Sequence, residues 1–198
     1  MGKKIAVTGG IGSGKSTVLS ILKTEGYPVF SCDELYKSIV TTQEYINLIA
    51  KHFPTCIVGN ELDKTRLSAI VFKDKTKLAL LNSLAHPLIM RDLMKKMNQT
   101  ENELSFAEVP LLFEGNYQSL FDAVFVVMRN RENRIQSVIE RDAIQKEQVE
   151  DRISSQLNYE DITVQEKLKK DHIFILENNQ DICALREKIK TLLKIIEN

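Results

Sequence analysis

Surplus charge is the first thing this chain lacks. Its 27 lysines and arginines are balanced by 27 aspartates and glutamates. No overall field therefore draws it to nucleic acid or to a membrane surface. Any basic site for an anionic ligand must be local. Cysteine is scarce as well: Cys32, Cys56 and Cys183 stand far apart, are odd in number, and form no Cys-x-x-Cys pair and no Cys/His ligand pattern. That excludes a disulfide framework and a zinc module. The cysteines read as small, half-buried residues of a reducing compartment. No apolar run approaches the length of a membrane span. Lys3-Lys4 leads into a short strand and a glycine-rich turn rather than an apolar leader segment, so no signal peptide is expected. Ala6 stands where N-myristoylation needs Ser or Thr. Internal repeats and low-complexity linkers are missing too. The expectation is a cytoplasmic protein with no nucleic-acid and no membrane partner. The sequence leaves oligomeric state open, with a monomer as the expectation.

What the chain does have begins at residue 9. Gly9-Gly10-Ile11-Gly12-Ser13-Gly14-Lys15-Ser16-Thr17 follows the apolar run Ile5-Ala6-Val7-Thr8 and leads into Val18-Leu19-Ser20-Ile21-Leu22. That is strand, glycine-rich turn, helix. Gly9 through Ser16 fit the P-loop pattern of Gly, four residues, then Gly-Lys-Ser/Thr. The glycines let the backbone curl so that several N–H groups point into one concavity. The helix N-terminus behind them adds positive potential. Gly10, Gly12, Ser13, Gly14, Lys15, Ser16 and Thr17 are thus candidate ATP-binding residues. Lys15 would reach the β- and γ-phosphates, and the Ser16 hydroxyl would ligate Mg²⁺. A chance Gly-Lys-Ser is the competing reading, and the strand before and helix after weigh against it.

At 198 residues, 43% hydrophobic and 27% charged, the chain suits one domain with a real core, or a core carrying inserted lobes. Strands are expected near 4–8, 28–31, 104–109, 122–128 and 172–176. The run at 122–128 is continuously apolar, as a central parallel strand covered on both faces should be. A helix over 15–25 ends at Gly26. Asp33 falls just after the second strand, at the edge where open α/β sheets bind ligands. It could cap the helix that follows, or be a carboxylate beside the phosphates. Residues 42–100 read as nearly all helix, with a turn at Gly59-Asn60 and a kink or helix start at Pro87. His86 then stands at a helix start. Glu108, at the end of the third strand, is either the acidic residue that positions the magnesium shell through water or a carboxylate facing solvent. Arg134 and Arg141 share a helix face, with Arg152 further on. They read as a lid over a triphosphate or as surface salt bridges with Glu132, Glu140 and Glu150, and Arg141 favours the lid. A polar helix over 160–170 and an amphipathic helix over 181–196 close the chain.

The fold these elements imply is α/β: a three-layer α/β/α P-loop kinase fold with a mostly parallel five-stranded sheet. Its nucleotide-binding core would cover about 1–32, 104–135 and 171–198, a helical acceptor-binding insert about 33–103, and a helical lid about 136–170. No Asn-Lys-x-Asp for guanine, no Asp-x-x-Gly switch and no ABC-type signature is present. A helical insert plus an arginine-bearing lid is what a small-molecule kinase needs to keep water from the phosphoryl group.

Further motifs carry a resemblance. Ser31-Cys32-Asp33, Glu61-Leu62-Asp63-Lys64-Thr65-Arg66-Leu67, His86-Pro87-Leu88-Ile89, Val109-Pro110-Leu111-Leu112-Phe113-Glu114, and Arg141-Asp142 with Arg152-Ile153 and Gln156 accompany the P-loop. Nearly end to end, the chain resembles the dephospho-coenzyme A kinase family. The resemblance implies ATP-dependent phosphorylation of the ribose 3′-hydroxyl of dephospho-CoA, with Mg²⁺, giving coenzyme A and ADP. It makes Asp33 the base toward that hydroxyl, Lys15 the neutraliser of the transferring phosphoryl group, and Arg141 a clamp on the ATP phosphates. It puts Lys37, Arg66, His86 and Glu114 in acceptor-binding segments and Asn178 near the adenine. Four departures stand out: Ser31 for the usual first aspartate, Lys37 for Arg, Ser137 for a lid arginine that Arg134 would replace from one turn away, and Gln180 for glycine. The alternatives are another P-loop small-molecule kinase acting on a nucleoside or nucleotide, and a non-catalytic nucleotide-binding regulatory module.

Overall fold

A computed structural model describes residues 2–159, 161, 164, 166, 168–170 and 172–197. They form two compact units, residues 1–30 with 100–198, and residues 31–99.

The first unit is built on β1 (Lys3–Thr8), β2 (Val29–Ser31), β5 (Leu104–Glu108), β6 (Ala123–Met128) and β7 (Ile173–Glu177). They make one five-stranded sheet in the order β2-β5-β1-β6-β7. β1 runs parallel to β5 and to β6, and β6 runs parallel to β7. The chain leaves β1 toward β2 on one side and returns to fill β6 and β7 on the other. The loop after β1 therefore lies at the topological switch point, where such sheets bind ligands. β6 and the Ile5–Val7 stretch of β1 are apolar throughout because both faces are covered. Ile5, Ala6, Val7, Val124, Phe125 and Val126 are all fully buried. Helices α1 (Lys15–Thr24) and α8 (Ile182–Glu197) cover one face with Val18, Leu22, Leu185 and Ile189. Phe106 and Phe125 meet at their centre, ring centroids 6.0 Å apart and planes tilted by 46°. Each such side chain contributes about 2–3 kcal/mol by leaving water. After β6 come α6 (Arg131–Asp142) and α7 (Lys146–Ser154). The polar helix expected over 160–170 falls partly outside the described residues.

The second unit contains α2 (Cys32–Ile39), α3 (Gln43–His52), the hairpin β3 (Ile57–Val58) and β4 (Glu61–Leu62), α4 (Lys64–Val71) and α5 (Lys75–Asn98). Thr42, Asp63 and Asp74 accept backbone N–H groups at the starts of α3, α4 and α5. Helices α2, α3 and α4 all pack on α5. Three expectations are corrected here. The stretch is not all helix, because Gly59-Asn60 turns a short antiparallel hairpin. Its strands are too short for a period-2 signal. Pro87 does not start a helix, and His86 is not at a helix start. α5 continues for 24 residues through both. Pro87 and Ser83 face solvent, so the Ser83 carbonyl, which proline deprives of its helical donor, can be hydrated. Meanwhile Leu81, Ala85, Ile89, Leu93 and Met97 carry one buried stripe past the proline. Third, Asp33 is not the cap of α2. The helix starts at Cys32 with Ser31 before it, because the strand runs into the helix without a loop.

Among the described residues, no helix is long and apolar enough to cross a membrane.

Candidate active site

The P-loop occupies the turn between β1 and α1. Gly12 and Gly14 take left-handed backbone angles, φ 75° and 96°, which residues with a Cβ adopt only with strain. Gly14 serves as the N-cap of α1 without any side-chain cap. Its carbonyl receives the N–H groups of Thr17 and Val18. The first-turn N–H groups of Lys15 and Ser16 have no partner inside the helix, and they point where the helix dipole favours an anion. The Lys15 ammonium arches over the loop and donates to the Gly9 and Gly10 carbonyls at 2.9 and 3.2 Å. Ser13 is buried, while Ser16 stands exposed on the first turn.

Two neighbouring strand ends complete the cradle. After β7, the Asn178 backbone N–H binds the Met128 carbonyl and its side-chain amide donates to the Ser13 carbonyl. On the other side, Glu108 ends β5 in register with Val7 of β1. Its charge is felt by Arg141, which is held even more firmly protonated than usual, first by its bond to Asp142.

No cluster of three or more His, Cys, Asp or Glu side chains suited to a metal exists among the described residues. The donor set is instead one exposed hydroxyl, Ser16, and one strand-end carboxylate, Glu108. That fits Mg²⁺, which keeps several waters and takes most of its remaining ligands from phosphates.

The elements after β6 lie against the loop. Arg134 is buried, and its Nε donates to the Ile11 carbonyl at 3.0 Å. Gln156 accepts the Ile11 N–H through Oε1 at 2.7 Å. Tyr159 is buried beside Thr8, its hydroxyl 3.4 Å from Thr8 Oγ1. Burial pushes its phenol up to about 12. Arg141 is exposed and forks onto Asp142 at 2.7 and 3.1 Å, and Arg152 shares the same carboxylate at 2.9 Å. The Arg141 bond is the main reason that carboxyl sits below its ordinary range. Ser137 accepts from Arg129 at 2.6 Å. Glu114 accepts the Leu157 N–H at 3.3 Å.

Within the second unit, Asp33 and Lys37 lie one turn apart on α2. Both are exposed, with no hydrogen bond or ion pair among the described residues. Arg66 donates to the Thr55 carbonyl at 2.8 Å and stands 3.7 Å from Asp63. His86 lies in mid-α5, where burial disfavours its charged form. Sequence reasoning missed Tyr159 altogether, since a lone tyrosine in a polar stretch carries no signal. It also left Arg134 between a lid arginine and a surface salt bridge, and neither reading sets it against the P-loop. The hydrophobic spacing of α6 could have placed it, because Arg134 adjoins Ile135 and Val138 on the buried side.

Comparison with known proteins matches this geometry to a family. The family profile described as dephospho-CoA kinase matches residues 3–183. The dephospho-CoA kinase of Thermus thermophilus is 33% identical over 189 residues, covering 96% of this chain and 89% of that protein. A crystal structure of a Thermus thermophilus protein superposes with a TM-score of 0.78 at 32% identity, covering 98% of this chain and 97% of the other. Shikimate kinase from Acinetobacter baumannii, solved with shikimate, superposes with a TM-score of 0.56 at 16% identity over 99% of this chain and 93% of its own. That last likeness is one of fold, the five-stranded P-loop kinase architecture. The chain belongs to the dephospho-CoA kinase family.

Proposed function

We propose that this protein transfers the γ-phosphoryl group of ATP to the ribose 3′-hydroxyl of dephospho-CoA, giving coenzyme A and ADP. The observation that carries the reading is an intact phosphate cradle, Gly9 to Thr17, in a chain of this family. The cradle binds the ATP phosphates through the loop amides, and Lys15 swings from the loop carbonyls onto the transferring group. Asp33 accepts the proton of the 3′-hydroxyl. The freed oxygen attacks the γ-phosphorus in line, the bond to the β-phosphate oxygen breaks, and ADP leaves. Ser16 would hold Mg²⁺ and Glu108 one of its waters, and the ion would supply charge neutralisation at the transferring phosphate. Arg141 leaves Asp142 to clamp the phosphates as the lid, about 136–170, closes and excludes water.

Recognition of the acceptor falls to the insert, about 33–103, through Lys37, Arg66 and His86, and to Glu114 outside it. Asn178 borders the adenine side of the cradle. The reaction draws on ATP and an intermediate of coenzyme A synthesis, so the reading places the protein in the cytoplasm. The test is ADP release with and without dephospho-CoA. Acceptor-dependent release supports the reading. Release with a nucleoside or nucleotide but not with dephospho-CoA would overturn the acceptor. ATP binding with no turnover on any acceptor would make the protein a nucleotide-binding module.

A further inference from the structure

The crest of the P-loop is held from both sides by one pair of side chains. Ile11 lies between Gly10 and Gly12, and both of its backbone polar groups are taken. Its carbonyl accepts from Arg134 Nε at 3.0 Å, and its N–H donates to Gln156 Oε1 at 2.7 Å. Arg134 is only 6% exposed. Its guanidinium lies beside Gly10, where a Cβ would come within 2.4 Å of Nη2. Its backbone carbonyl lies against Gly12, where a Cβ would meet it at 2.5 Å. Gly12 is thus required by the arginine's backbone as well as by its own left-handed angle, and a Cβ at Gly10 would displace the guanidinium. Helix α6 starts at Arg131 under the Asn130 cap, so Arg134 emerges from its first turn already aimed at the loop.

This arrangement does two things to a phosphate cradle. It fixes the crest peptide, so the loop does not lose freedom when an anion arrives, and ordering costs are what weaken binding. It also sets a charge that never titrates behind the loop amides, in a site where water is thinned and a charge acts further.

We infer that Arg134, with Gln156, is a positioning brace for the P-loop crest and sets the affinity for the triphosphate rather than for the acceptor. This deepens the proposed function and rests on it only for the name of the second substrate. Arg134 touches the loop and acts through it.

The experiment compares Arg134→Ala, Arg134→Lys, Gln156→Ala and the double variant with wild type. Arg131→Ala serves as control, since that arginine is exposed and approaches Glu150 at 3.8 Å. ATP affinity is read by calorimetric titration without acceptor, and KM for each substrate by steady-state kinetics. Arg134→Ala should weaken ATP by about ten- to a hundred-fold, the scale of a charged hydrogen bond and its buried acceptor. KM for dephospho-CoA should stay within about two-fold. Lysine restores charge but not the planar fork, so it should recover only part of the loss. The two single losses should fail to add in the double variant, because both side chains hold one peptide. Arg131→Ala should match wild type. Unchanged ATP affinity in Arg134→Ala, or equal losses for both substrates, overturns the brace. If Arg134→Ala does not fold, Arg134→Lys and Gln156→Ala carry the same comparison. Calorimetry needs no acceptor, so a wild type that binds ATP without transferring phosphate would defeat the proposed function and leave the brace standing.

Discussion

Asn178 donates its side-chain amide to the Ser13 carbonyl at 2.9 Å, and so ties the loop after β7 to the P-loop. Its own backbone N–H is bound to the Met128 carbonyl at 2.8 Å, so the tie reaches the cradle through β6 as well. The amide fills the space beside Gly14, where a Cβ would stand 2.1 Å from Asn178 Nδ2. Gly14→Ala should therefore abolish measurable ATP binding, since it adds strain at φ 96° to that clash. Asn178→Ala removes one hydrogen bond worth about 1 kcal/mol, or about a five-fold rise in KM for ATP. The same variant separates two roles. If Asn178 only braces the loop, KM for ATP and GTP should rise together. If it reads the adenine, the ATP/GTP ratio should fall.

Asp33 sits on the first turn of α2 and spends its carboxylate on no neighbour among the described residues. Asp33→Asn should keep ATP affinity and lower turnover by about 10²- to 10⁴-fold, the usual worth of a positioned base. Normal turnover in this variant would reduce Asp33 to a helix-start residue.

Legibility in the sequence followed the length over which a physical signal repeats. The sheet was readable because Ile5–Val7 of β1 and the whole of β6 are covered on both faces and show it as apolar runs. The P-loop was readable because its glycines, lysine and serine stand at fixed spacing. The β3–β4 hairpin was hidden, since two residues per strand give no period. Pro87 misled as a helix start because proline reports the local cost to a helix and not the buried stripe that outweighs it. Asp33 looked like a cap because β2 and α2 meet with no loop between them. Arg134 was misjudged for a different reason. An arginine among charged residues reads as surface, and only the fold brings Ile11 to its side.

Ser16 is the one protein hydroxyl exposed on the first turn of α1 where the proposed Mg²⁺ would be met. A magnesium titration of turnover tests it. Chelation of the metal should stop the reaction in wild type. Ser16→Ala should shift the half-saturating magnesium concentration upward by about ten-fold while Lys15 still binds the phosphates. Glu108→Gln should move the same midpoint by less, because its contact is through water. A Ser16→Ala midpoint equal to that of wild type would remove Ser16 from the metal shell.

Tyr159 makes the alkaline limb of the stability curve informative. Its phenol is buried, and burial raises it from 10.0 to about 12 in the folded protein. A group raised on folding holds its full contribution below the unfolded value and loses it as pH climbs through the folded one. The loss attributable to Tyr159 thus falls between pH 10 and about 12, and amounts to about 2–3 kcal/mol if the phenol ionises freely on unfolding. Tyr45 is raised more strongly by its own burial and loses stability over the same rise in pH, so wild type alone cannot apportion the slope. Tyr159→Phe can. Near pH 7 the variant should lie close to wild type, because the bond to Thr8 is long at 3.4 Å. Above pH 10 its stability, followed by denaturant midpoint, should fall less steeply than wild type. Parallel slopes in the two proteins would mean that the phenol at the back of the phosphate cradle reaches water in the folded state.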